Sequence, residues 1–258
     1  IHLAGLKSVP DSIKEPSIYY ENNFGSAISL CNVMTEFNCK RFVFSSSAAV
    51  YGNSNNRPIK EDHLLLPASP YGRSKLFIEQ MLSDKFTSDN SWSISVLRYF
   101  NPVGAHESGL IGESPLTTPS NLMPLLSRVA SGKKDSLLIY GDDYSTPDGS
   151  GVRDFIHVMD LANGHVKAIQ SMTKPGILTV NLGTGKGSSV FEVINSFESA
   201  SGVKIPFKIV SRRKGDIGSC YAETSLALQE FDWKSHFNLD DMCRDAWRWQ
   251  VQNSNGYE

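Results

Sequence analysis

The chain has 258 residues, of which 40% are hydrophobic and 20% are charged, and its formal net charge at pH 7 is -2. This length can form one large domain or two small ones. A charge this close to zero gives no electrostatic reason to bind nucleic acid or an anionic membrane, and no apolar run approaches the roughly 20 residues that a membrane-spanning helix needs. The four cysteines fit no metal or disulfide pattern, so we expect a protein of the reducing cytoplasm.

Predicted helices and strands alternate in the first part of the chain. Residues 15–37 carry apolar side chains at helical spacing, which predicts an amphipathic helix. Its apolar stripe consists of Phe24, Ala27, Ile28, Cys31 and Met34. Residues 42–44 (Phe-Val-Phe) predict a short buried strand, and three serines, residues 45–47, follow it directly. Because open α/β sheets bind ligands at the carboxyl ends of their strands, these serines are expected to face a cleft.

The next helix is predicted to begin at Ser69-Pro70, since serine is a favoured N-cap and proline is favoured in the first turn. Tyr71 and Lys75 then share one helix face. A tyrosine is a base only as phenolate, so its ordinary pKa of about 10 must fall by roughly 3 units to operate near neutrality. An ammonium about 4 Å away is worth about 4 kcal/mol at an effective dielectric near 20, and Lys75 is the expected source. An isolated Tyr-x-x-x-Lys is usually coincidence, and the preceding serines give it weight.

The later elements are less regular. Residues 93–99 predict another strand, but turn residues interrupt the alternation after Gly104. Residues 122–131 predict a helix for which Asn121 is either an N-cap or a ligand-binding residue, two interpretations of equal weight. Residues 137–141 predict a strand, and residues 239–249 predict an amphipathic helix that packs its tryptophans on the smaller part of the protein.

A glycine turn at residues 183–187 imitates a dinucleotide-binding fingerprint. It lies between a predicted strand at residues 179–182 and a helix from Ser188, and the next predicted strand, residues 205–210, leads to Arg212-Arg213. However, Ser188 occupies the third glycine position, and no parallel strands precede the turn in a new βαβ unit. A cofactor site is therefore not favoured here.

Residues 44–52 (Phe-Ser-Ser-Ser-Ala-Ala-Val-Tyr-Gly), followed by Tyr-Gly-Arg-Ser-Lys at 71–75, resemble the extended short-chain dehydrogenase/reductase family. Longer runs at residues 97–106, 121–124 and 148–160 narrow this resemblance to the UDP-sugar 4-epimerases of that family. The resemblance implies an α/β fold with a partial Rossmann-type, doubly wound parallel sheet and a smaller mixed α/β region. Residues 1–104 would belong to the NAD-binding domain, and residues 105–258 mainly to the UDP-sugar-binding region, with some segments returning to the sheet.

The resemblance also implies the chemistry. UDP-galactose and UDP-glucose, and potentially their N-acetylated counterparts, would be interconverted through a transient 4-keto sugar with NAD as cofactor. The implied catalytic residues are Tyr71, Lys75 and Ser47, and the positively charged nicotinamide ring would help Lys75 to lower the Tyr71 pKa. The implied cofactor-binding residues are Leu3, Ala4, Gly5, Lys7, Asn22, Ser45, Tyr71, Lys75 and Tyr99. The implied substrate-binding residues are Lys7, Ser47, Phe100, Asn101, Asn121, Leu122, Tyr140, Arg153, Arg213, Asp216 and Cys220. No metal is implied, and the family suggests a homodimer.

Several of these residues have simpler interpretations. Lys7 and Asn22 could be solvated side chains, and Arg153, next to Asp154, could form a surface ion pair instead of a bidentate contact with the diphosphate. Cys220 matches a wall position beside the 2-substituent of the sugar, where some members of the family carry tyrosine. The smaller cysteine would admit an N-acetyl group, although a buried free cysteine often has no role in specificity.

The start of the chain departs from the family pattern. Residues 1–5 read as the end of a strand, and no Gly-x-x-Gly-x-x-Gly turn precedes them. We therefore expect the chain to begin at about the fourth strand of a Rossmann-type sheet. One alternative is a truncated isoform without catalytic activity. Another is a sugar-nucleotide 4,6-dehydratase, which would need an Asp-Glu pair directly after the serines, where this chain has Ala48-Ala49.

Overall fold

The computed structural model describes residues 1–53, 57–115, 119–213 and 216–257, which form two compact units. The first unit comprises Ile1–Phe100, Asn163–Leu182 and Ala222–Lys234, and the second comprises Asn101–Ala162, Gly183–Tyr221 and Ser235–Glu258. Lys214, which continues the basic pair at residues 212–213, lies outside the described residues. Of the helices described, none is long and apolar enough to span a membrane.

The secondary structure alternates helices and strands along most of the chain. The helices are α1 (Val9–Lys14), α2 (Pro16–Tyr19), α3 (Gly25–Glu36), α4 (Pro70–Ser88), α5 (Leu122–Ala130), α6 (Val158–Ser171), α7 (Val190–Ser201), α8 (Ser225–Phe231) and α9 (Leu239–Gln252). The strands are β1 (Arg41–Ser45), β2 (Ser93–Tyr99), β3 (Asn101–Val103), β4 (Leu137–Tyr140), β5 (Val152–Arg153), β6 (Phe155–His157), β7 (Gly176–Leu182), β8 (Ser188–Ser189), β9 (Phe207–Val210) and β10 (Ser219–Cys220).

A parallel sheet in the order β1-β2-β7 forms the centre of the first unit. His2 adds a parallel bridge to Phe44 on the outer side of β1. Helices α3 and α4 cover the sheet with apolar side chains, among which Ala27, Ile78 and Leu82 are buried against Phe44 and neighbouring strand residues. The predicted α/β class with a parallel sheet is confirmed, and the sheet places the ends of β1 and β2 on the same edge.

The helix predicted over residues 15–37 is interrupted. A π-helical turn, Tyr20–Phe24, joins α2 to α3. Ala27 and Cys31 are buried as expected, but Ile28, predicted on the same stripe, is 38% exposed. A π-helical turn contains an additional residue and therefore changes the phase of the side chains along the helix. A regular 3.6-residue period could not predict this change.

The second unit combines three small sheets, in the orders β10-β5-β8, β3-β6 and β4-β9, with α5, α7 and α9. Its core includes Leu126, Leu137, Phe197 and Met242, and Trp247 packs against this cluster. Helix α7 begins at Val190, two residues later than predicted, because the Ser188–Ser189 pair forms strand β8 and Ser189 closes a capping box with the third helical residue.

The glycine turn at residues 183–187 already holds an anionic group from the protein itself. The buried Asp154 carboxylate accepts hydrogen bonds from Thr184 N at 2.8 Å, from the Thr184 hydroxyl at 2.6 Å and from Gly185 N at 3.0 Å. Backbone N–H groups that would cradle a phosphate are thus occupied by a carboxylate. This explains why a sequence that imitates a dinucleotide fingerprint serves a structural purpose here.

Candidate active site

The serine run lies at the carboxyl end of β1, where Ser45 and Ser46 are fully buried. The Ser45 hydroxyl is 2.6 Å from His165 Nε2, and the Ser46 hydroxyl donates to the carboxylate of Glu79. A buried hydroxyl is costly unless it is hydrogen-bonded, so these contacts fix the end of the strand. Ser47, the third serine, then begins the 3₁₀ turn, Ala48–Tyr51.

Ser47, Tyr71 and Lys75, the predicted catalytic residues, lie together in the first unit. The Ser47 side chain forms a hydrogen bond with Tyr71 and also accepts one from Ala49 N at 3.2 Å. The Lys75 ammonium donates to the Ser45 carbonyl oxygen at 2.8 Å and lies 6.0 Å from the centre of the Tyr71 ring. In this arrangement the Tyr71 hydroxyl can donate or accept a proton close to the buried Lys75 cation.

The beginning of α4 sets the orientation of Tyr71 and Lys75. The Ser69 side chain accepts a hydrogen bond from Gly72 N at 3.1 Å, and Pro70 occupies the first turn, as predicted. Both functional side chains are buried on the same face of α4. Because residues four apart project from the same side of a helix, one capping interaction positions both.

Burial dominates the electrostatics of Tyr71 and Lys75. Burial raises the pKa of Tyr71, and the Ser47 hydrogen bond opposes this only in part. Burial also lowers the pKa of Lys75 to about 8, against the opposing effect of Glu79. The predicted lowering of the Tyr71 pKa requires the nicotinamide ring beside Lys75, and it stays a prediction.

A buried ion pair anchors α4 to β2, and the sequence analysis missed it. Arg98 Nη2 lies 2.6 Å from Glu79 Oε2, and both side chains are more than nine-tenths buried. Arg98 also donates to the Tyr51 hydroxyl at 3.1 Å, which in turn donates to Asn181 Oδ1 at 2.7 Å. Glu79 follows Lys75 by four residues on the same helix face, and this spacing was the signal in the sequence that Glu79 lies near the site.

The segment predicted to contact the cofactor, residues 3–7, is largely exposed, as is Asn22 in the π-helical turn. The neighbouring Asn23 is buried instead. Its Oδ1 accepts from Leu6 N at 2.7 Å, and its Nδ2 donates to Leu6 O at 3.0 Å and to the Ser74 hydroxyl at 3.2 Å. Asn23 therefore fixes the exposed segment against α4, a role that the sequence analysis did not assign.

The donor set around Lys75 suits an NAD cofactor. Lys75 has three N–H donors, and the Ser45 carbonyl uses one, which leaves donors for the hydroxyls of a ribose. Tyr99, predicted on the cofactor side, ends β2 with its ring centre 6.2 Å from that of His165, and burial raises its pKa. Among the described residues, no group of His, Cys, Asp and Glu could hold a metal ion.

A cavity of about 240 Å³ in the second unit contains most of the predicted substrate-binding residues. Its lining includes Asn101, Asn121, Leu122, Tyr140, Arg153, Arg213 and Asp216. The Arg213 guanidinium carbon lies 3.8 Å from the centre of the Tyr140 ring, and Arg153 Nη2 lies 3.6 Å from Asp216 Oδ1. An aromatic face with two guanidinium groups and a carboxylate can recognise the base, phosphates and ribose of a nucleotide.

The remaining predictions have mixed outcomes. Asn121 occupies the N-cap position of α5, but its side chain makes no capping hydrogen bond, so its amide is available to the cavity. Phe100 belongs to the first unit, where it is buried. Cys220, in β10, pairs with Arg153 of β5 but is not among the residues that line the cavity. Lys7 has interactions of its own and remains a predicted cation for either ligand.

Comparison with known proteins identifies the family. A sequence profile of the NAD dependent epimerase/dehydratase family matches residues 1–183. The chain is 54% identical to the UDP-glucose 4-epimerase of Dictyostelium discoideum over 100% of this chain and 75% of that protein. The UDP-glucose 4-epimerase of Bifidobacterium longum, solved in complex with NAD+ and UDP, superposes with a TM-score of 0.95 at 51% identity, covering 99% of this chain and 77% of that one.

A second solved relative has bound ligands as well. The UDP-glucose 4-epimerase of Stenotrophomonas maltophila, with bound NAD and formylated UDP-arabinopyranose, gives a TM-score of 0.96 at 49% identity, over 98% of this chain and 76% of that one. The profile match and the sequence similarity along the whole chain agree with the fold described for each unit. The chain belongs to the NAD dependent epimerase/dehydratase family.

Proposed function

We propose that this protein interconverts UDP-galactose and UDP-glucose by NAD-dependent epimerisation at C4 of the sugar. The observation that carries the proposal is the buried, hydrogen-bonded group of Ser47, Tyr71 and Lys75 at the edge of the parallel sheet. The curated relative with 54% identity is named for this activity. In this proposal the first unit supplies the acid and base, and the cavity of the second unit binds UDP.

Tyr71 is the proposed base. It removes the proton from the 4-hydroxyl group while a hydride leaves C4, so the C4–O bond becomes a carbonyl. NAD, when bound, would supply the acceptor and then the donor of this hydride. Ser47 forms a hydrogen bond with the reacting 4-oxygen and so orients this group. Tyr71 returns the proton in the second half of the cycle.

The raised pKa of Tyr71 gives Lys75 a defined task. In the ligand-free protein the phenol stays protonated because it is buried. The lysine ammonium donates a hydrogen bond to the Ser45 carbonyl. It would also bind the ribose of the cofactor and add its positive charge to that of the nicotinamide. The two cations together favour the phenolate only when the cofactor is present, so base strength and cofactor binding are coupled.

The cavity of the second unit is the proposed UDP site. Tyr140 would stack on the uracil, Arg153 and Arg213 would bind the diphosphate, and Asp216 would accept from the ribose hydroxyls. A 4,6-dehydratase is not favoured, because Ala48 and the residue after it follow the serines in the 3₁₀ turn and provide no acid-base pair.

Two further features of the proposal concern assembly and compartment. Phe77 on α4 is 40% exposed and stacks with Tyr20, their ring centres 5.8 Å apart, while Phe24 approaches its edge. An exposed aromatic face on adjacent helices suits association of two copies. All four cysteines lie in the described part of the chain and are thiols, not disulfides, which fits the reducing cytoplasm.

The proposal extends to the N-acetylated UDP-sugars through Cys220. A half-buried thiol occupies less space than a tyrosine ring, so the variant Cys220→Tyr should exclude the N-acetylated pair while it retains UDP-galactose. Turnover of both substrate pairs in both proteins tests this. Equal use of N-acetylated substrate by wild type and variant, or no use by wild type, would remove Cys220 from specificity.

The activity itself is tested with purified protein, NAD and UDP-galactose, following UDP-glucose by NMR. Formation of UDP-glucose to a stable ratio with UDP-galactose is expected, and the same ratio should be approached from either side. A protein that consumes UDP-galactose but yields a 4-keto-6-deoxy sugar would instead be a dehydratase.

A further inference from the structure

Tyr144, which the motifs did not single out, lines the cavity of the second unit. Its backbone N–H donates to Gly149 O at 2.9 Å. The Arg212 guanidinium carbon lies 4.1 Å from the centre of its ring, and Arg212 is itself held by Asp143, with Nε 2.6 Å from Oδ1. The backbone hydrogen bond and the ring contact both restrict the position of Tyr144, which reduces the ordering that a ligand would have to supply.

The hydroxyl of Tyr144 is an exception among buried polar groups. The residue is only 7% exposed, and within the described ranges its hydroxyl has no hydrogen-bond partner. Tyr51 shows the usual situation, since its buried hydroxyl both donates and accepts. An unpaired buried hydroxyl costs free energy unless a ligand supplies the partner, and this one belongs to a residue of the cavity wall.

The charges around Tyr144 indicate which atoms the partner brings. Burial raises the pKa of Tyr144 most, Asp216 raises it further, and Arg212 and Arg153 lower it, so the net shift is upward. The phenol therefore stays protonated and can donate. Asp216 requires donors, such as sugar hydroxyls, whereas the oxygens of a diphosphate are acceptors only and carry the charge that Arg153 attracts.

We propose that the Tyr144 hydroxyl donates a hydrogen bond to the diphosphate of the bound nucleotide, which makes Tyr144 a determinant of UDP affinity beside Arg153 and Arg213. This inference rests on the proposed function, in which the cavity binds UDP. It differs from that function in assigning recognition to a buried neutral donor, in contrast to the half-buried Arg153 and the exposed Arg213.

The test removes only the hydroxyl, in the variant Tyr144→Phe. UDP affinity is measured by isothermal titration calorimetry, uridine affinity by NMR titration, and unfolding without ligand by calorimetry. Tyr221→Phe is the matched control, because Tyr221 lies in the same unit, is half-buried and does not line the cavity.

For Tyr144→Phe, the UDP dissociation constant should rise about 10- to 100-fold, the range expected for loss of one hydrogen bond to a charged group. Uridine binding should not change, because uridine lacks the diphosphate. The melting temperature without ligand should be equal to or above that of the wild type, since the hydroxyl is unpaired there. A structural role would instead lower the melting temperature, and Tyr221→Phe should bind UDP like the wild type.

Three results would overturn the inference: unchanged UDP affinity in Tyr144→Phe, an equal loss in Tyr221→Phe, or a loss of uridine binding as large as that of UDP. If the wild type binds UDP and Tyr144→Phe binds it equally well, the inference alone fails. If the wild type does not bind UDP, the proposed role of the cavity fails, and the inference fails with it.

Discussion

The serine strand of the first unit and the cavity of the second differ in how their polar side chains are paired. Around the serine strand, with the exception of His2 Nε2, the buried groups described are paired within the protein: Lys75 with the Ser45 carbonyl, and Glu79 with Arg98. In the cavity of the second unit, Arg153 is 24% exposed with its nearest carboxylate oxygen 3.6 Å away, and the Tyr144 hydroxyl is unpaired. The side chains of the proposed chemistry are therefore preorganised without a ligand, whereas the cavity contains polar groups whose hydrogen bonds a ligand would complete.

This comparison predicts that substitutions in the first region reduce turnover or stability, whereas substitutions in the cavity reduce UDP affinity. The largest effect is expected for Tyr71→Phe, which removes the proposed base. Turnover should fall by about 10²- to 10⁴-fold, the usual contribution of a general base, while UDP affinity stays within twofold. Steady-state kinetics and calorimetric titration of UDP measure the two quantities. A variant with wild-type turnover would remove Tyr71 from catalysis.

Breaking the paired network should reduce stability as well. Glu79→Gln leaves Arg98 buried without a counter-charge, and we expect a loss of about 3–5 kcal/mol in the free energy of unfolding, measured by urea denaturation. Lys204→Gln is the control, because its ion pair with Glu198 lies at an exposed lysine and should contribute less than about 1 kcal/mol. Equal losses in the two variants would mean that the network is not preorganised by burial.

The pKa of Lys75 predicts a pH dependence of stability. The unfolded lysine keeps its proton up to its ordinary pKa of 10.5, whereas the folded one loses it near 8 because it is buried. Between these values the unfolded state binds more protons, so stability rises with pH, by on the order of 1–3 kcal/mol between pH 8 and 10. Tyrosines whose pKa is raised act in the opposite direction only above about pH 10.

The Lys75 contribution is isolated by subtracting the stability of Lys75→Met at each pH. The difference between wild type and variant should move in favour of the wild type from pH 8 to 10 and stay flat from pH 7 to 7.5. A flat difference over the whole range would show that the buried ammonium keeps its ordinary pKa.

The smallest effect is expected in the cavity. Arg153→Ala should weaken UDP binding about tenfold, through loss of one charge-assisted contact, and leave the free energy of unfolding nearly unchanged. Arg128→Ala, on α5 and outside this cavity, is the control. If Arg153→Ala instead destabilised the ligand-free protein as much as Glu79→Gln does, the contrast between the two units would be lost.

Local patterns in the sequence were sufficient for part of this account. The Ser69 cap, the shared face of Tyr71 and Lys75, and the bounds of β2 all depend on residues close in sequence, for which spacing and capping rules are reliable. The parallel sheet agrees with what the family resemblance implied, and the substrate-binding roles of Tyr140 and Arg153 stay predictions.

Other features depend on contacts that spacing does not encode. The hydrogen bond from Tyr51 to Asn181 joins residues 130 positions apart, and the one between Ser45 and His165 spans 120. The burial of Asn23 instead of Asn22 follows from the π-helical turn, which has no period to detect. The effect of burial on the Tyr71 pKa could not be predicted, because desolvation depends on tertiary burial, which only the fold reveals.

Amide hydrogen exchange with and without UDP tests the central contrast most directly. The account predicts that β1, Arg41–Ser45, and α4, Pro70–Ser88, exchange slowly without ligand and change little when UDP is added. It also predicts that β4, Leu137–Tyr140, and the cavity side of β5, Val152–Arg153, become more protected with UDP. Protection by UDP that appears in β1 and α4 but not in β4 and β5 would contradict it.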